Sequence, residues 1–568
     1  MLSPIGLGLS LMIHCGRNAS RAMKPIFFFG NRVHMKADKT GTGPMARHTA
    51  WFNALVIGIL LCVTPGVYGQ TSPITPEQSR ARIRYAVLKD KATFRASREM
   101  IIRSGKSRYR VDAGEWTFEV SVTRPATQRY HVFPKTFRPG EEQAREEYLS
   151  FWRARGYHPE IEEFGLLFQT APGTLLDNRE YWVSLSRFDT EQEAEALAAE
   201  LKKESVWAWT RPERTAGGQG TFAIQGQGRR SSDLLECPLE ISCEAPLEVV
   251  DVSSGFWREK KENRLFQGPL TLSIGPAGEI EIYGYLPVET YLRGVVPAEM
   301  PSSWPAEALK AQAVVARSEI YASLAGKYRL EGFDFTALES CRAYLGLSGH
   351  TAETDAVITA TAGMALVHNN RYIKTVFSSC CGGWTENNEN VWSGPADPML
   401  RGVPDCSIGP EDITPASGLK RFLSSTPDAW CSSDTPGFRW QRRYSVGELS
   451  QLVNQKHRVG TIQSIREGGR GVSGRLKSVT IKGSLGTVTL EKELAIRQAF
   501  GGLPSAMVII EQEPEAGVPG SFTIKGGGRG HGVGMCQHGA RGMAAAGRGF
   551  EEIMAHYFPG ARLERMQP

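Results

Sequence analysis

Between Tyr291 and Ser318 the sequence reads YLRGVVPAEMPSSWPAEALKAQAVVARS, and its spacing leaves few conformations open. Leu292 to Val296 is an apolar, strand-like run that leads into a proline-bounded turn carrying one carboxylate, Glu299. Pro305 then stands where a first helical position tolerates it, and Glu307 follows in the first turn. Leu309, Ala313, Ala316 and Ile320 recur at helical spacing, so the helix has one apolar face to bury. Glu299, beside Val295, Val296 and Met300, is a candidate for a desolvated carboxyl able to give up a proton near neutral pH.

At 568 residues, 41% hydrophobic and 22% charged, the chain has room for two or three domains and a substantial core. A net charge of +6 is small for this length, and no basic block stands out. That permits affinity for an anionic polymer but does not indicate nucleic-acid binding, and none is expected. Near the N-terminus, Trp51 to Val63 is an apolar run preceded by Arg47 and His48 and followed by Val67, Tyr68 and Gly69. The pattern is that of an export signal cleaved before Gln70, with residues 1–69 removed and Met45 the start that gives a signal of ordinary length. The run is too short to span a membrane, so the expected location is periplasm, cell wall or outside the cell. Ten cysteines fall to eight once Cys15 and Cys62 leave with the signal, an even number that suggests disulfides. Cys237 and Cys243 are close enough in sequence for a local loop.

The rest divides by composition and period. Residues 70–124 read as short strands, such as Ile83 to Leu88 and Trp116 to Val122. Residues 125–213 carry a β-α-β-β-α-β pattern opened by a strand at Tyr130 to Phe133. A helix from Glu141 to Arg155 puts Ala144, Tyr148, Phe151 and Trp152 on one face, with Gly156 as its cap. Strands at Gly165 to Phe168 and Tyr181 to Phe188 precede a helix from Glu191 to Lys203, for which Thr190 and Glu193 form a capping box. Val206 to Trp209 closes the sheet. Residues 214–233, rich in Gly, Gln and Arg, read as a linker. Residues 234–568 form the remaining domain, with strands near Leu270 to Ile282, Ala365 to Phe377 and Lys477 to Leu490. The expected class is α+β and multidomain.

Two further blocks sharpen the reading: SSCCGGWTENNENVWSG from Ser378 to Gly394, and GGGRGHGVGMCQHGARGMAAAGRGFEEIMAHYFPGARL from Gly526 to Leu563. With the Tyr291–Ser318 segment they follow the order of the stage II sporulation protein D family, and the resemblance spans Leu234 to Leu563. It implies an exported enzyme that cleaves peptidoglycan glycan strands as a lytic transglycosylase. The stretch YWVSLSRFDTEQEAEALAAELKKE resembles a SPOR domain, which implies binding to glycan from which the stem peptides have been removed.

That chemistry suits a lone Glu299. One acid protonates the glycosidic oxygen, then takes the proton of the muramic 6-hydroxyl as that oxygen attacks its own anomeric carbon and leaves a 1,6-anhydro end. The nucleophile belongs to the substrate, so the paired carboxylates of most glycosidases are not required. Lys310 and Arg317 lie seven residues apart on one helical stripe, and the resemblance implies that both bear on the active site. Trp384 is expected as a platform for a sugar face, with Thr385, Glu386 and Asn387 bonding its hydroxyl and acetamido groups. His531 and Gln537 are further expected substrate contacts, and the glycines around His531 are expected to let backbone amides approach the sugar. The GGGRGHGVGM run lacks the Lys-Ser/Thr ending of a phosphate loop, which excludes nucleotide binding.

No cofactor or metal is expected. The implied partners are peptidoglycan strands and, because some family members stimulate one, a cell-wall amidase. A non-catalytic enhancer of an N-acetylmuramoyl-L-alanine amidase is therefore the alternative function. Cys381 and Cys536 stand where many family members carry Ser, so a shared cleft would bring the thiols together as a disulfide. Cys380, Cys406 and Cys431 could pair with each other or elsewhere. Two other readings stay open: a Cys341–His350 metal cluster, since some relatives bind zinc, and a Cys381–His531 nucleophilic pair.

Overall fold

The computed structural model describes residues 72–565 apart from the short stretches 76–77, 171–172, 227–228, 255–259, 338–342, 406–411, 426, 433–434, 436 and 516–517. The expected signal region therefore lies outside the described residues. Among those described, no helix is long and apolar enough to cross a membrane. Helices and sheets are both abundant, and the class is α+β.

Strand Arg80–Leu88 buries Ala81, Ile83 and Tyr85 and turns Arg82 and Arg84 the other way, the alternation of a strand covered on one face. Its neighbours come from far along the chain. It sits between Phe335–Thr336 and Ile280–Pro287 in a seven-stranded sheet that continues through Leu270–Ile274, Leu239–Cys243, Met100–Ser104 and Ser107–Val111. A six-stranded sheet runs Arg229–Glu236, Gln219–Gly226, Gly114–Arg124, Lys91–Ala96, Leu247–Ser254, Lys260–Phe266. Both sheets feed one hydrophobic core, which joins Phe94, Phe118 and Phe222 to Ile83, Leu272 and Ile282.

This arrangement corrects two expectations. Residues 70–124 do not stand apart from the later domain but interleave with strands up to Pro287. The expected linker contains the strand Gln219–Gly226, which buries Phe222 and Ile224. Its glycines answer to crowding, since a Cβ at Gly220 would lie 2.3 Å from the Ser121 carbonyl oxygen.

The β-α-β-β-α-β unit is an insertion in that six-stranded sheet. The chain leaves at Arg124 and returns at Gln219, and those two residues are cross-strand partners. Strands Thr127–Phe133 and Lys135–Phe137, Glu160–Phe164, Glu180–Ser184 with Ser186–Phe188, and Trp209–Ala216 pair antiparallel throughout. Numbered by position in the motif, the strands lie in the order four, one, three, two. Helices α1 (Glu142–Ala154) and α2 (Glu191–Lys203) cover one face, packing Trp152, Ala194 and Leu201 on Val132 and Leu185. Thr190 caps α2 by accepting from the Glu193 amide. The second strand is Glu160–Phe164 rather than Gly165–Phe168, because Leu167–Gln169 turns away to pair with Leu175–Asp177. The opposite sheet face, with His131, Phe133 and Phe164 buried, packs against the rest of the chain. Arg329 lies 5.6 Å from the Phe164 ring centre, and the Gly165 amide donates to the Ala325 carbonyl. Arg214 grips Glu281 of the seven-stranded sheet through two bonds of 2.6 and 3.1 Å, both side chains buried.

Past Pro287 the chain turns helical. Helix α3 (Val288–Glu299) replaces the expected strand-like run. The reason is its full apolar period: Val288, Tyr291, Leu292, Val295 and Val296 are all buried, at helical spacings that a five-residue window conceals. Helix α4 (Ala306–Ser323) follows with Pro305 as its N-cap, and Leu309, Ala313, Ala316 and Ile320 are buried as expected. Val314, Val315 and Arg317 are buried as well, so α4 is a central helix wrapped on nearly all sides. Against it pack α5 (Gln537–Ala545) and α6 (Phe550–Tyr557), sharing a core of Met300, Val314, Met535 and Ile553.

Candidate functional site

Glu299 is the last residue of α3 and is half-buried. Its Oε1 accepts from the Ala343 amide at 2.8 Å. Its main-chain carbonyl accepts from Gln537 Nε2 at 3.1 Å, and the same nitrogen donates to Gln312 Oε1 of α4 at 3.3 Å. Three helices thus converge where this carboxylate leaves the backbone. Gln537 is buried and its amide nitrogen is engaged by protein acceptors, so the structure gives it a positioning role at Glu299.

Just beyond Met300 opens a cleft of about 570 Å³ lined by Pro301, Ser303, Trp304, Pro305, Ser379, Arg529, His538, Arg541 and Ala545. Trp304 and His538 face each other with ring centres 4.9 Å apart, and the Arg541 guanidinium lies 5.6 Å from the Trp304 ring. Burial holds His538 below its ordinary pKa, and its backbone amide donates to Ser379. An aromatic ring with two guanidinium groups suits a sugar bearing anionic substituents. Sequence reasoning passed over all of these residues, although Trp304 lies inside the Tyr291–Ser318 segment and Arg529, His538 and Arg541 lie in the glycine-rich block. The only signal was their place in those blocks. A second cavity of about 930 Å³ shares Arg529 and is lined by Arg442, Lys456, Arg497 and His531.

Most of the other expected contacts turn inward. Arg317 is fully buried, makes a two-pronged bond to Glu289 of α3 at 2.7 and 2.8 Å, and donates to the carbonyls of Met364 and Ile358. It fixes α3 on α4 and is closed to a substrate. Lys310 is half-exposed, bonds Glu307 at 2.7 Å, and lies 5.8 Å from the Phe550 ring centre. Trp384 packs half-buried with Ile413, Leu419 and Phe422, as part of a small core and not as an open platform.

Glu386 is 0% exposed and its carboxylate is filled by donors: the amides of Asn387, Val472 and Ser473, the Asn390 side chain and the Ser473 hydroxyl. No room is left for a sugar hydroxyl, so Glu386 is a structural centre. Asn387 Oδ1 is likewise engaged, by the Gly402 amide at 2.7 Å. Arg475, which no sequence signal marked, clamps this region by donating to the Ser473 hydroxyl and the Cys381 carbonyl.

His531 is half-buried, 4.8 Å from the Trp392 ring centre, and its Nδ1 accepts from the Val533 amide. Burial first, then Arg475 and Arg497, push it down to about 3, so the ring is neutral. Of the glycines beside it, Gly532 answers to internal packing. Gly532 has a positive φ of 79°, and a Cβ there would lie 2.3 Å from the Arg475 guanidinium carbon.

The two motif blocks do meet, through a parallel bridge that pairs Ser378 with Cys536. The Cys381 amide donates to Cys536 Sγ at 3.1 Å, and Cys381 Sγ is 3.6 Å from Cys431 Sγ. All six described cysteines are free, Cys237 and Cys243 included. Cys243 ends the strand Leu239–Cys243 and Cys237 lies two residues before it, and the expected bond between them is not formed. Cys381 makes its contacts with Asp405 and Cys431, and no Cys381–His531 bond exists among the described residues. Cys341 and Cys406 lie outside the described residues.

Residues 277–368, which carry Glu299, Lys310 and Arg317, match the family model described as stage II sporulation protein. Residues 386–534 match a model described as a domain of unknown function. An uncharacterised protein of Brachyspira hyodysenteriae is 31% identical over 276 residues, 48% of this chain and 66% of that one. The amidase enhancer of Bacillus subtilis is 30% identical over 297 residues, and the chain covers 40% of its length. Stage II sporulation protein D of the same organism is 27% identical over 297 residues, 74% of its length. The chain thus spans less than two thirds of the first two relatives, and the segment matched by the family model holds the helix pair around Glu299. On these matches residues 277–368 form a stage II sporulation protein domain, and about half of the chain is homologous to stage II sporulation protein D.

Proposed function

We propose that the protein is an exported lytic transglycosylase of peptidoglycan, with Glu299 as its acid and base. The observation that carries this reading is one carboxylate, held at the end of a helix by Gln537 and Ala343, one residue from the start of a cleft whose lining, among the described residues, includes no carboxylate. A single acid is what intramolecular attack by the muramic 6-hydroxyl requires. Glu299 gives its proton to the glycosidic oxygen and recovers one from that hydroxyl, and the glycan end closes as a 1,6-anhydro sugar. Trp304 offers an apolar face to a sugar ring. Arg529 and Arg541 complement the lactyl carboxylate that each muramic residue exposes once its stem peptide has been removed, which favours peptide-stripped strands.

The second reading, a non-catalytic partner of a cell-wall amidase, is favoured by the likeness to the Bacillus subtilis amidase enhancer. Glu299→Gln separates the two. The amide keeps size and hydrogen bonding without the transferable proton, so glycan binding persists while turnover falls about 10²- to 10⁴-fold. Mass spectrometry of fragments from pure protein and peptide-stripped glycan should find 1,6-anhydro ends with the wild type and not with the variant. Reducing ends from the wild type would indicate hydrolysis, and an unaffected variant would leave the enhancer reading standing.

A further inference from the structure

Cys381, Asp405, Cys431 and Cys536 come from four separate stretches of chain, and their Sγ and carboxylate oxygen atoms all lie within 4.8 Å of one another. All four side chains are 0% exposed. Cys381 Sγ is 3.6 Å from Cys431 Sγ and 3.3 Å from Asp405 Oδ2. Thiolates around a tetrahedral zinc, at ~2.3 Å each, stand about 3.8 Å apart, whereas a disulfide needs ~2.05 Å.

The surroundings are those of ligands already aimed. The amides of Cys381 and Gly539 donate to Cys536 Sγ at 3.1 and 3.3 Å, and the Gly383 amide donates to Cys381 Sγ at 3.4 Å. Cys536 is also the N-cap of α5, where a negative sulfur is favoured by the helix end. The buried Tyr557 hydroxyl donates to Asp405 Oδ1 at 2.5 Å and fixes the carboxylate's orientation. Two cations stand behind the cluster: buried Arg475 bonds the Cys381 carbonyl and half-buried Arg439 the Gly382 carbonyl. Cys380, also buried, stands beside Cys431 and Cys536 as a fourth thiol, and His556 Nε2 lies 3.7 Å from Asp405 Oδ1.

We propose that Cys381, Cys431, Cys536 and Asp405 form a structural zinc site, distinct from the Glu299 cleft and from the Cys341–His350 pair. Four protein ligands close the coordination sphere, so the ion cross-links and does not catalyse. It ties the Ser378–Gly394 block to the start of α5, and so to Gln537, which holds the Glu299 carbonyl. The ligand spacings of 24, 26 and 105 residues match no zinc knuckle, which is why the sequence alone does not show the site.

The test is metal content and spectrum, independent of any activity. Reduced full-length chain should bind one equivalent of zinc per chain. After metal removal, cobalt(II) should give the intense visible bands of a tetrahedral site with thiolate charge-transfer absorption. Cys431→Ser should abolish that spectrum. Tyr557→Phe, which keeps the ring and all four ligands, should retain it while weakening zinc affinity about 10- to 100-fold. Should Cys431→Ser fail to fold, the wild-type titration and Tyr557→Phe decide. No zinc uptake by the reduced chain, a cobalt spectrum that survives in soluble Cys431→Ser, an unchanged affinity in Tyr557→Phe, or a Cys381–Cys536 or Cys381–Cys431 disulfide in protein as purified would each overturn the proposal.

Discussion

Glu386→Gln turns one acceptor into a donor inside a pocket made of donors. Glu386 Oε1 accepts at 2.8 Å from the Asn387 amide, 2.9 Å from Asn390 Nδ2 and 3.1 Å from the Val472 amide. Oε2 accepts at 3.2 Å from the Ser473 amide and 2.6 Å from the Ser473 hydroxyl. A glutamine keeps its oxygen in the first position, where three donors wait, and points NH2 at Ser473. The Ser473 amide is then orphaned in a buried site, at about 1–3 kcal/mol. The surviving bonds lose their ionic partner, at roughly 1 kcal/mol each. Burying a neutral amide in place of a carboxylate offsets several kcal/mol of that, leaving a net loss of about 3 kcal/mol, near the upper end for one substitution. Urea unfolding of the full chain should show a lower midpoint with an unchanged slope. A wild-type midpoint, combined with weaker glycan binding, would refute this account and return Glu386 to the substrate contacts.

Arg317→Lys keeps a charge but cannot reproduce the fork on Glu289 together with the bonds to Met364 and Ile358, so stability should fall by about 2–3 kcal/mol in thermal unfolding. His531 is held down to about 3 in the folded chain, against an ordinary value near 6.5. Between those pH values the unfolded state takes up a proton that the folded state refuses, so His531 costs stability as pH falls from about 6.5 and has no effect above it. His531→Asn should therefore flatten the pH dependence of the unfolding midpoint between pH 7 and 4, and an unchanged slope would contradict the assignment. Replacing residues 126–217 by a short turn keeps the Arg124–Gln219 pairing of the six-stranded sheet but strips Arg214 from buried Glu281, so the variant should fold with a lower unfolding midpoint. Retention on peptide-stripped sacculi should drop in that variant, and unchanged pull-down would count against glycan binding by the insertion.

What could be read beforehand was local. Leu309, Ala313, Ala316 and Ile320 repeat with a helix's period over several turns, and the capped α2 announces itself through Thr190 and Glu193, three residues apart. What escaped was decided at long range. Nothing near Arg80–Leu88 announces Ile280–Pro287 as its partner, about two hundred positions away. The glycines of Gln219–Gly226 have the composition of a flexible linker and the job of letting strands crowd together.

The site divides along the same line. The setting of Glu299 was legible only in part: its neighbours define the proline turn, while the apolar run before it, read as strand-like, is helix α3. Glu386 and Arg317 were found as residues and misread as contacts, because their saturating partners, Val472 with Ser473 and Glu289, are distant in sequence. A polar residue in a motif shows that something needs its hydrogen bonds. Whether that something is ligand or protein depends on whether burial has already supplied the donors, and for Glu386 five are in place. By the same test the groups left facing open space are Trp304, Arg529, His538 and Arg541, which line the cleft. Substitutions there should change binding more than stability, the reverse of what is expected at Glu386 and Arg317.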